Sequence, residues 1–131
     1  MGTVPLLADA DAPPEARAVF DAIRAARGTD YVNNFWRALS ADPALLAATW
    51  ERAQAVMAPG ALDPLVKEMV YLAVSAANGC AYCVHSHTAA ARARGMTEAQ
   101  HGELLAVIAL ASQTNALAVA LGVEVDGRFR A

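Results

Sequence analysis

Residues 63–95 read DPLVKEMVYLAVSAANGCAYCVHSHTAAARARG, and this stretch predicts two helices joined by a short bend. Asp63 followed by Pro64 is typical of a helix N-terminus, because aspartate caps free backbone N–H groups and proline suits the first turn. Asn78-Gly79 predicts the end of the first helix, and Gly95 predicts the end of the second. No pair of alternating segments with a hairpin signal occurs here or elsewhere, so an all-α fold is expected.

The same start and stop signals recur along the rest of the chain. They predict a compact helical bundle of about six to seven helices. Asp42-Pro43 opens one helix, and Thr97 with Gln100 fits a capping box that opens another. A single domain over residues 1–131 is expected, because this length suits one domain. The further helices are expected at about 13–27, 31–40, 43–57, 97–111 and 114–121, with Ser112-Gln113-Thr114-Asn115 separating the last two.

The composition predicts a hydrophobic core, together with more apolar side chains than that core can bury. Apolar residues make up 56% of the chain and charged residues only 18%, which is too apolar for a disordered chain. A small domain leaves much of its surface in water, so a single copy would have difficulty burying this many apolar side chains. We therefore expect the chain to associate with copies of itself.

Charge and hydropathy patterns argue against several classes of partner. The net charge is −3 and the basic residues are scattered, whereas nucleic-acid binding normally requires a clustered basic face. The N-terminal residues lack the positive and apolar regions of a secretory signal. The apolar stretch 104–121 is interrupted by polar residues, so no membrane span is expected. We expect a cytoplasmic protein with no nucleic-acid or membrane partner.

Two cysteines, Cys80 and Cys83 (the cysteine pair), begin the second helix of the opening stretch. Together with His87 they fall within an arc of about 60° on one helical face, and Cys83 and His87 are one turn apart. His85 points nearly the opposite way. Free N–H groups at a helix start favour thiolate over thiol. The spacing therefore predicts a reversible two-thiol redox site in which, of the histidines on this helix, only His87 can serve the cysteines.

Glu68 lies on the preceding helix, at the margin of its predicted apolar stripe and beside Leu65 and Leu72. A carboxylate in such a place can serve a proton relay. Three helical turns and a bend separate Glu68 from Cys80, so contact between them depends on how the helices pack. The plain alternative is a solvated surface carboxylate next to Lys67.

The spacing of four residues resembles the signature of a known family. Eleven residues separate Glu68 from Cys80, two separate Cys80 from Cys83, and three separate Cys83 from His87. This spacing is similar to the signature of the alkylhydroperoxidase D-like branch of the carboxymuconolactone decarboxylase family. The resemblance implies an all-helical bundle that assembles as a homo-oligomer, either a trimer or a hexamer. It spans about residues 31–126 and includes the flanking segments Asn34-Phe35-Trp36-Arg37-Ala38-Leu39, Lys67-Glu68, Ser75-Ala76-Ala77-Asn78-Gly79, Asn115-Ala116-Leu117 and Leu121-Gly122-Val123.

The resemblance also implies a role for each of the four residues, with no cofactor. Cys83 would attack a hydroperoxide and become a sulfenic acid, and Cys80 would resolve that acid as a disulfide. His87 would draw the proton from Cys83, with Glu68 tuning or relaying it. A dithiol reductant protein, lipoyl-bearing or thioredoxin-like, would reset the pair. One departure is Tyr82, which stands where the namesake peroxidase has a histidine.

Three other interpretations of the same residues remain open at this point. Glu68, Cys80, Cys83 and His87 are four possible zinc ligands. The family name suggests decarboxylation or lactone chemistry, although that branch typically lacks the cysteine pair. A non-catalytic oligomer with two buried, inert cysteines is the third.

Overall fold

Six α-helices and one short 3₁₀ helix make up the regular structure of residues 2–130, the part of the chain that the computed structural model describes. No strand occurs among these residues, so the predicted all-α fold and the predicted number of helices are confirmed. The helices are α1 Pro14–Arg27, α2 Asn34–Leu39, α3 Pro43–Met57, α4 Pro64–Ala77, α5 Ala81–Ala93 and α6 Glu98–Leu121, followed by the 3₁₀ helix Gly127–Phe129.

The predicted helix starts are confirmed by the capping contacts. The Asp42 carboxylate accepts a hydrogen bond from the Leu45 N–H at 3.0 Å. The Asp63 carboxylate accepts one from the Leu65 N–H at 2.8 Å. Thr97 and Gln100 form the predicted capping box, with reciprocal bonds of 3.1 and 2.9 Å. These side chains satisfy N–H groups that the first helical turn leaves unpaired.

Two helix boundaries differ from the prediction. The second helix begins at Asn34 rather than near residue 31. The predicted break at 112–115 was wrong, because α6 runs unbroken through 24 residues. The Thr114 hydroxyl donates to the carbonyl oxygens of Leu110 and Ala111 at 3.1 and 3.2 Å. Its polar group is thus satisfied within the helix, so the polar cluster does not need to end it.

The described residues divide into two compact units between Ala58 and Pro59. The expectation of a single domain over 1–131 stays a prediction, and its first and last residues lie outside the described range. In the first unit α3 packs against α1 and α2. Trp36 and Trp50 meet edge to face with ring centroids 5.2 Å apart. The buried side chains of this core are those of Ala12, Ala16, Phe20, Ile23, Val32, Trp36 and Leu46.

The second unit packs α4 against α5 along their lengths and against α6. Leu72 of α4 and Ala91 of α5 are fully buried between neighbours, and Met96 closes the turn that follows α5. Two polar residues, Glu68 and Ser75, are buried with them. This helical pair therefore has a partly polar interior, and the candidate site lies there.

α6 leaves most of its apolar side chains in solvent in the single chain, while Leu104 and Ile108 are half-buried. None of its residues is buried. By length and composition alone, it is the one helix among residues 2–130 that is long and apolar enough to cross a membrane. The sequence-based argument against a membrane span relied on an interruption at 112–115, which the helix does not have. A largely exposed apolar helix is expected to be covered by another surface, because exposed apolar area of this kind is costly in water.

Candidate active site

The bend between α4 and α5 places Cys80 at a junction of two helix ends. Gly79 adopts φ +70°, a left-handed conformation that L side chains rarely adopt. The Cys80 N–H donates to the Ser75 carbonyl at 2.9 Å, and the Gly79 N–H donates to the Ala76 carbonyl at 3.1 Å. This pair of bonds is a Schellman motif. Cys80 therefore ends the cap of α4 and is at the same time the N-cap residue of α5.

Glu68 and His87 are brought together by the packing of α4 against α5. The distance between His87 Nδ1 and Glu68 Oε2 is 2.7 Å. An ionised carboxylate can only accept, so in that form of the pair the proton in this bond belongs to Nδ1. In the corresponding neutral tautomer of histidine, the other ring nitrogen, Nε2, is an acceptor. The contact between these two predicted site residues could not be derived from their spacing.

Glu68 is buried, not marginal. Its side chain is only 7% exposed, and it lies on the buried face of α4 with Leu72 and Ser75. The expectation of a stripe-margin position was wrong, as was the alternative of a solvated carboxylate. The predicted stripe was drawn from apolar residues alone, but apolar character does not decide burial on this helix, since Val66 is exposed. A carboxylate can replace an apolar residue in this face because its partners compensate its burial.

The second carboxylate oxygen of Glu68 faces Arg94. The distance from Arg94 Nε to Glu68 Oε1 is 3.5 Å, and the guanidinium group is partly open to solvent. Both oxygens of the buried carboxylate thus have a nitrogen partner, one from His87 and one from Arg94. The buried carboxylate is therefore not left without polar partners.

Tyr71 covers one face of the His87 ring. The two ring centroids are 3.6 Å apart and the ring planes differ by 20°, so the rings are stacked. Tyr71 is one turn after Glu68 on α4, so a single helix contacts both the edge and the face of the imidazole. Burial raises the pKa of the Tyr71 hydroxyl, and the negative charges of the cysteine pair and of Glu68 raise it further.

The cysteine pair is free and partly exposed, not buried as two inert hydrophobes would be. The two thiols differ in acidity. The Cys83 thiol, with a smaller effect of the Cys83 backbone N–H, lowers the pKa of Cys80. The neighbouring Cys80 sulfur and partial burial raise the pKa of Cys83 to about 11. The first proton to leave the pair therefore comes from Cys80, and Cys83 needs a base in order to ionise near neutral pH.

A family model described as "Carboxymuconolactone decarboxylase family" matches residues 43–124, a range that contains Glu68, the cysteine pair and His87. The chain belongs to the carboxymuconolactone decarboxylase family. Within it, this chain is of the alkylhydroperoxidase D-like kind, as its relatives indicate. It is 38% identical over 112 residues to "Alkyl hydroperoxide reductase AhpD" of Solibacter usitatus, covering 84% of this chain and 62% of that protein.

Two further comparisons support the same placement in the family. "Alkyl hydroperoxide reductase AhpD" of Maricaulis maris is 38% identical over 69 residues, covering 53% of this chain and 38% of that protein. The solved structure of the "Alkylhydroperoxidase AhpD core" from Rhodospirillum rubrum is 62% identical, with a TM-score of 0.96. The alignment covers 100% of this chain and 98% of that one. The chain spans less than two thirds of the length of the two alkyl hydroperoxide reductases from Solibacter usitatus and Maricaulis maris.

Two sequence-based interpretations concern the placement of His85 and a possible zinc site. His85, which the helical geometry points away from the cysteine pair, is exposed on α5. Among residues 2–130, no group of three or more His, Cys, Asp or Glu side chains is arranged to hold a metal ion. The zinc interpretation therefore has no cluster of ligands to support it within the described part of this chain.

Sequence reasoning missed Tyr71 and Arg94. Tyr71 is three residues after Glu68, and this spacing alone places the two on one side of α4. Arg94, the C-cap residue of α5, is seven residues after His87, which is two helical turns along the same face. Either signal could have suggested a neighbour of the Glu68–His87 pair once that pair was assumed.

Proposed function

We propose that this chain is a thiol-dependent peroxidase that reduces hydroperoxides through the cysteine pair. The observation that carries the proposal is the joint presence of two free thiols at the α5 N-terminus and a buried Glu68–His87 hydrogen bond one turn further along α5. The names of the relatives, alkyl hydroperoxide reductases, agree with this chemistry. A cytoplasmic location fits it as well, because reduced thiols persist there.

Cys83 is proposed as the residue that attacks the hydroperoxide. His87 accepts the Cys83 proton at Nε2 while Glu68 holds Nδ1. The Cys83 thiolate attacks one peroxide oxygen, the O–O bond breaks, and the departing alkoxide takes a proton to give the alcohol. Cys83 becomes a sulfenic acid. A thiolate with a high pKa is intrinsically the stronger nucleophile, which favours Cys83 over Cys80 for this step once a base is supplied.

Cys80 is proposed as the resolving residue. Its pKa is lowered, so it is the thiol of the pair that is ionised more readily. The Cys80 thiolate attacks the sulfur of the Cys83 sulfenic acid, a disulfide forms, and the hydroxide that leaves takes a proton to become water. Two thiols and one hydroperoxide thus give one disulfide, one alcohol and one water. A dithiol reductant protein, lipoyl-bearing or thioredoxin-like, returns the pair to its reduced state.

Catalytic turnover with a dithiol is the first prediction. Purified protein with dihydrolipoamide as the reductant is expected to consume an alkyl hydroperoxide continuously, and the consumption is expected to stop when the dithiol is exhausted. The measurement is hydroperoxide remaining over time. The matched control is the double variant Cys80→Ser/Cys83→Ser. Equal consumption by the wild type and this control would contradict the proposal.

Self-association through α6 is the second prediction. α6 exposes a set of large apolar residues, and the family resemblance implies a trimer or a hexamer. Sedimentation of the purified chain is expected to give three or six times the mass of one copy, since burial of this helix against copies of itself removes apolar area from water. A monomer at micromolar concentration would contradict it. The exposed residues are Leu105, Val107, Leu110, Leu117, Val119 and Leu121.

A further inference from the structure

We propose that Tyr71 is a positioning residue for His87, whose stacked ring holds the imidazole in the orientation that keeps Nδ1 on Glu68 and leaves Nε2 free. This inference rests on the proposed function in so far as His87 acts as the base for Cys83. It adds a residue from α4 that the four-residue sequence pattern does not include.

A hydrogen bond alone does not fix the plane of the His87 ring. The bond from Nδ1 to Glu68 Oε2, at 2.7 Å, restrains one edge of the ring. Hydrogen bonds tolerate a range of angles, so small rotations about the two side-chain torsions can still tilt the ring and move Nε2. A second contact across the ring face restricts this tilt. Tyr71 supplies that contact, with its ring centroid 3.6 Å from the imidazole and nearly parallel to it.

The two contacts come from one rigid element. Glu68 and Tyr71 are three residues apart on α4, so they lie on the same side of the helix and move together. Ser75, one turn further along, donates its hydroxyl to the Tyr71 carbonyl at 2.8 Å and is buried. The helix therefore presents an acceptor and a flat surface to His87 at a fixed separation. Positioning by rigid elements of this kind is what a proton transfer needs.

The Tyr71 ring also suits the charged state of His87. When His87 takes a proton from Cys83, it becomes an imidazolium held between the Glu68 carboxylate and the tyrosine face. The electron-rich face of an aromatic ring attracts a cation placed over it. Tyr71 itself stays neutral, since burial and the nearby negative charges raise the pKa of its hydroxyl. His87 thus contacts Glu68 and Tyr71 from α4. Arg94 lies on the other oxygen of Glu68, and Cys83 is one turn before His87 on α5.

Two substitutions separate the ring of Tyr71 from its hydroxyl. Tyr71→Phe keeps the stacked ring and removes only the hydroxyl, whereas Tyr71→Leu removes the ring. Tyr71 is 43% exposed, so leucine fits without a cavity in the core. Tyr71→Met serves as a second ring-free variant. Tyr31→Leu is the matched control, because Tyr31 is an exposed tyrosine far along the chain from the site residues.

The experiment combines NMR of the imidazole with turnover. In reduced protein without hydroperoxide, the nitrogen and ring-proton shifts of His87 report which nitrogen carries the proton. We expect wild type, Tyr71→Phe and Tyr31→Leu to show one tautomer with the proton on Nδ1, and the ring-free variants to show a mixture. Turnover of an alkyl hydroperoxide with dihydrolipoamide is expected to fall about tenfold in the ring-free variants and to stay within about twofold in the others.

Two results would overturn the positioning role. One is a ring-free variant with the single wild-type tautomer and the wild-type rate. The other is Tyr71→Phe losing as much as Tyr71→Leu, which would assign the effect to the hydroxyl. The NMR measurement uses no hydroperoxide, so it separates this inference from the proposed function. A wild type that consumes no hydroperoxide, with mixed tautomers in Tyr71→Leu, would reject the peroxidase and leave the positioning role in place.

Discussion

Cys83→Ser is expected to abolish hydroperoxide consumption, with a loss in kcat/KM of at least about a thousandfold. The serine hydroxyl is close in shape to the thiol, but it is a far weaker nucleophile. The remaining thiol, Cys80, is at the N-cap of α5, two turns rather than one turn before His87. The measurement is hydroperoxide consumed over time with dihydrolipoamide as the reductant. Circular dichroism of the variant provides the control for folding, because Cys83 is only partly buried.

Cys80→Ser is the matched variant, and it is expected to behave differently. It keeps the attacking thiol, so the first equivalent of hydroperoxide is consumed and a sulfenic acid forms on Cys83. The second step then fails, and turnover stops. A dimedone adduct on Cys83 detects this state. If Cys83→Ser instead traps a sulfenic acid on Cys80, the two roles are reversed, and the proposed assignment is contradicted; the lowered pKa of Cys80 would be consistent with that reversal.

His87→Ala is expected to lower turnover about a hundredfold near neutral pH and to change its pH dependence. Without the imidazole, Cys83 must lose its proton to solvent. The pKa of Cys83 is about 11, so the thiolate fraction is small at neutral pH and rises as the pH increases toward that value. The variant should therefore regain rate steadily with increasing pH, whereas the wild type depends less on pH in the same range.

His85→Ala is the control for this variant, because His85 is an exposed histidine on the same helix. Wild-type kinetics are expected for it. An equal loss in both variants, or a His87→Ala protein with the wild-type pH profile, would remove His87 from the proposed proton transfer.

The helix ends could be predicted from sequence because they depend on local chemistry. Asp63 with Pro64, and Thr97 with Gln100, make contacts within one helical turn, and both occur in the structure as predicted. The polar cluster at 112–115 shows the limit of the same reasoning. Such residues suit either a break or a helix, and the Thr114 hydroxyl finds carbonyl partners inside α6.

The interior of the site could be predicted only in part. The arc shared by the cysteine pair and His87 follows from helical geometry, and it places His85 on another side of α5, where its side chain is exposed. The contact between Glu68 and His87 joins residues 19 positions apart on two helices, so it depends on packing that spacing does not encode. The burial of Glu68 was missed for the same reason, since a buried carboxylate is recognised by its partners.

The most direct test of the redox site is a thiol count on the reduced protein after an equimolar dose of alkyl hydroperoxide. The chain has two cysteines, so free thiols are counted by alkylation and mass, and the linked peptides are then mapped. The account predicts that both thiols are lost together, with an intrachain Cys80–Cys83 disulfide as the product. Two free thiols with the hydroperoxide unconsumed, or equal consumption by Cys83→Ser, would contradict it.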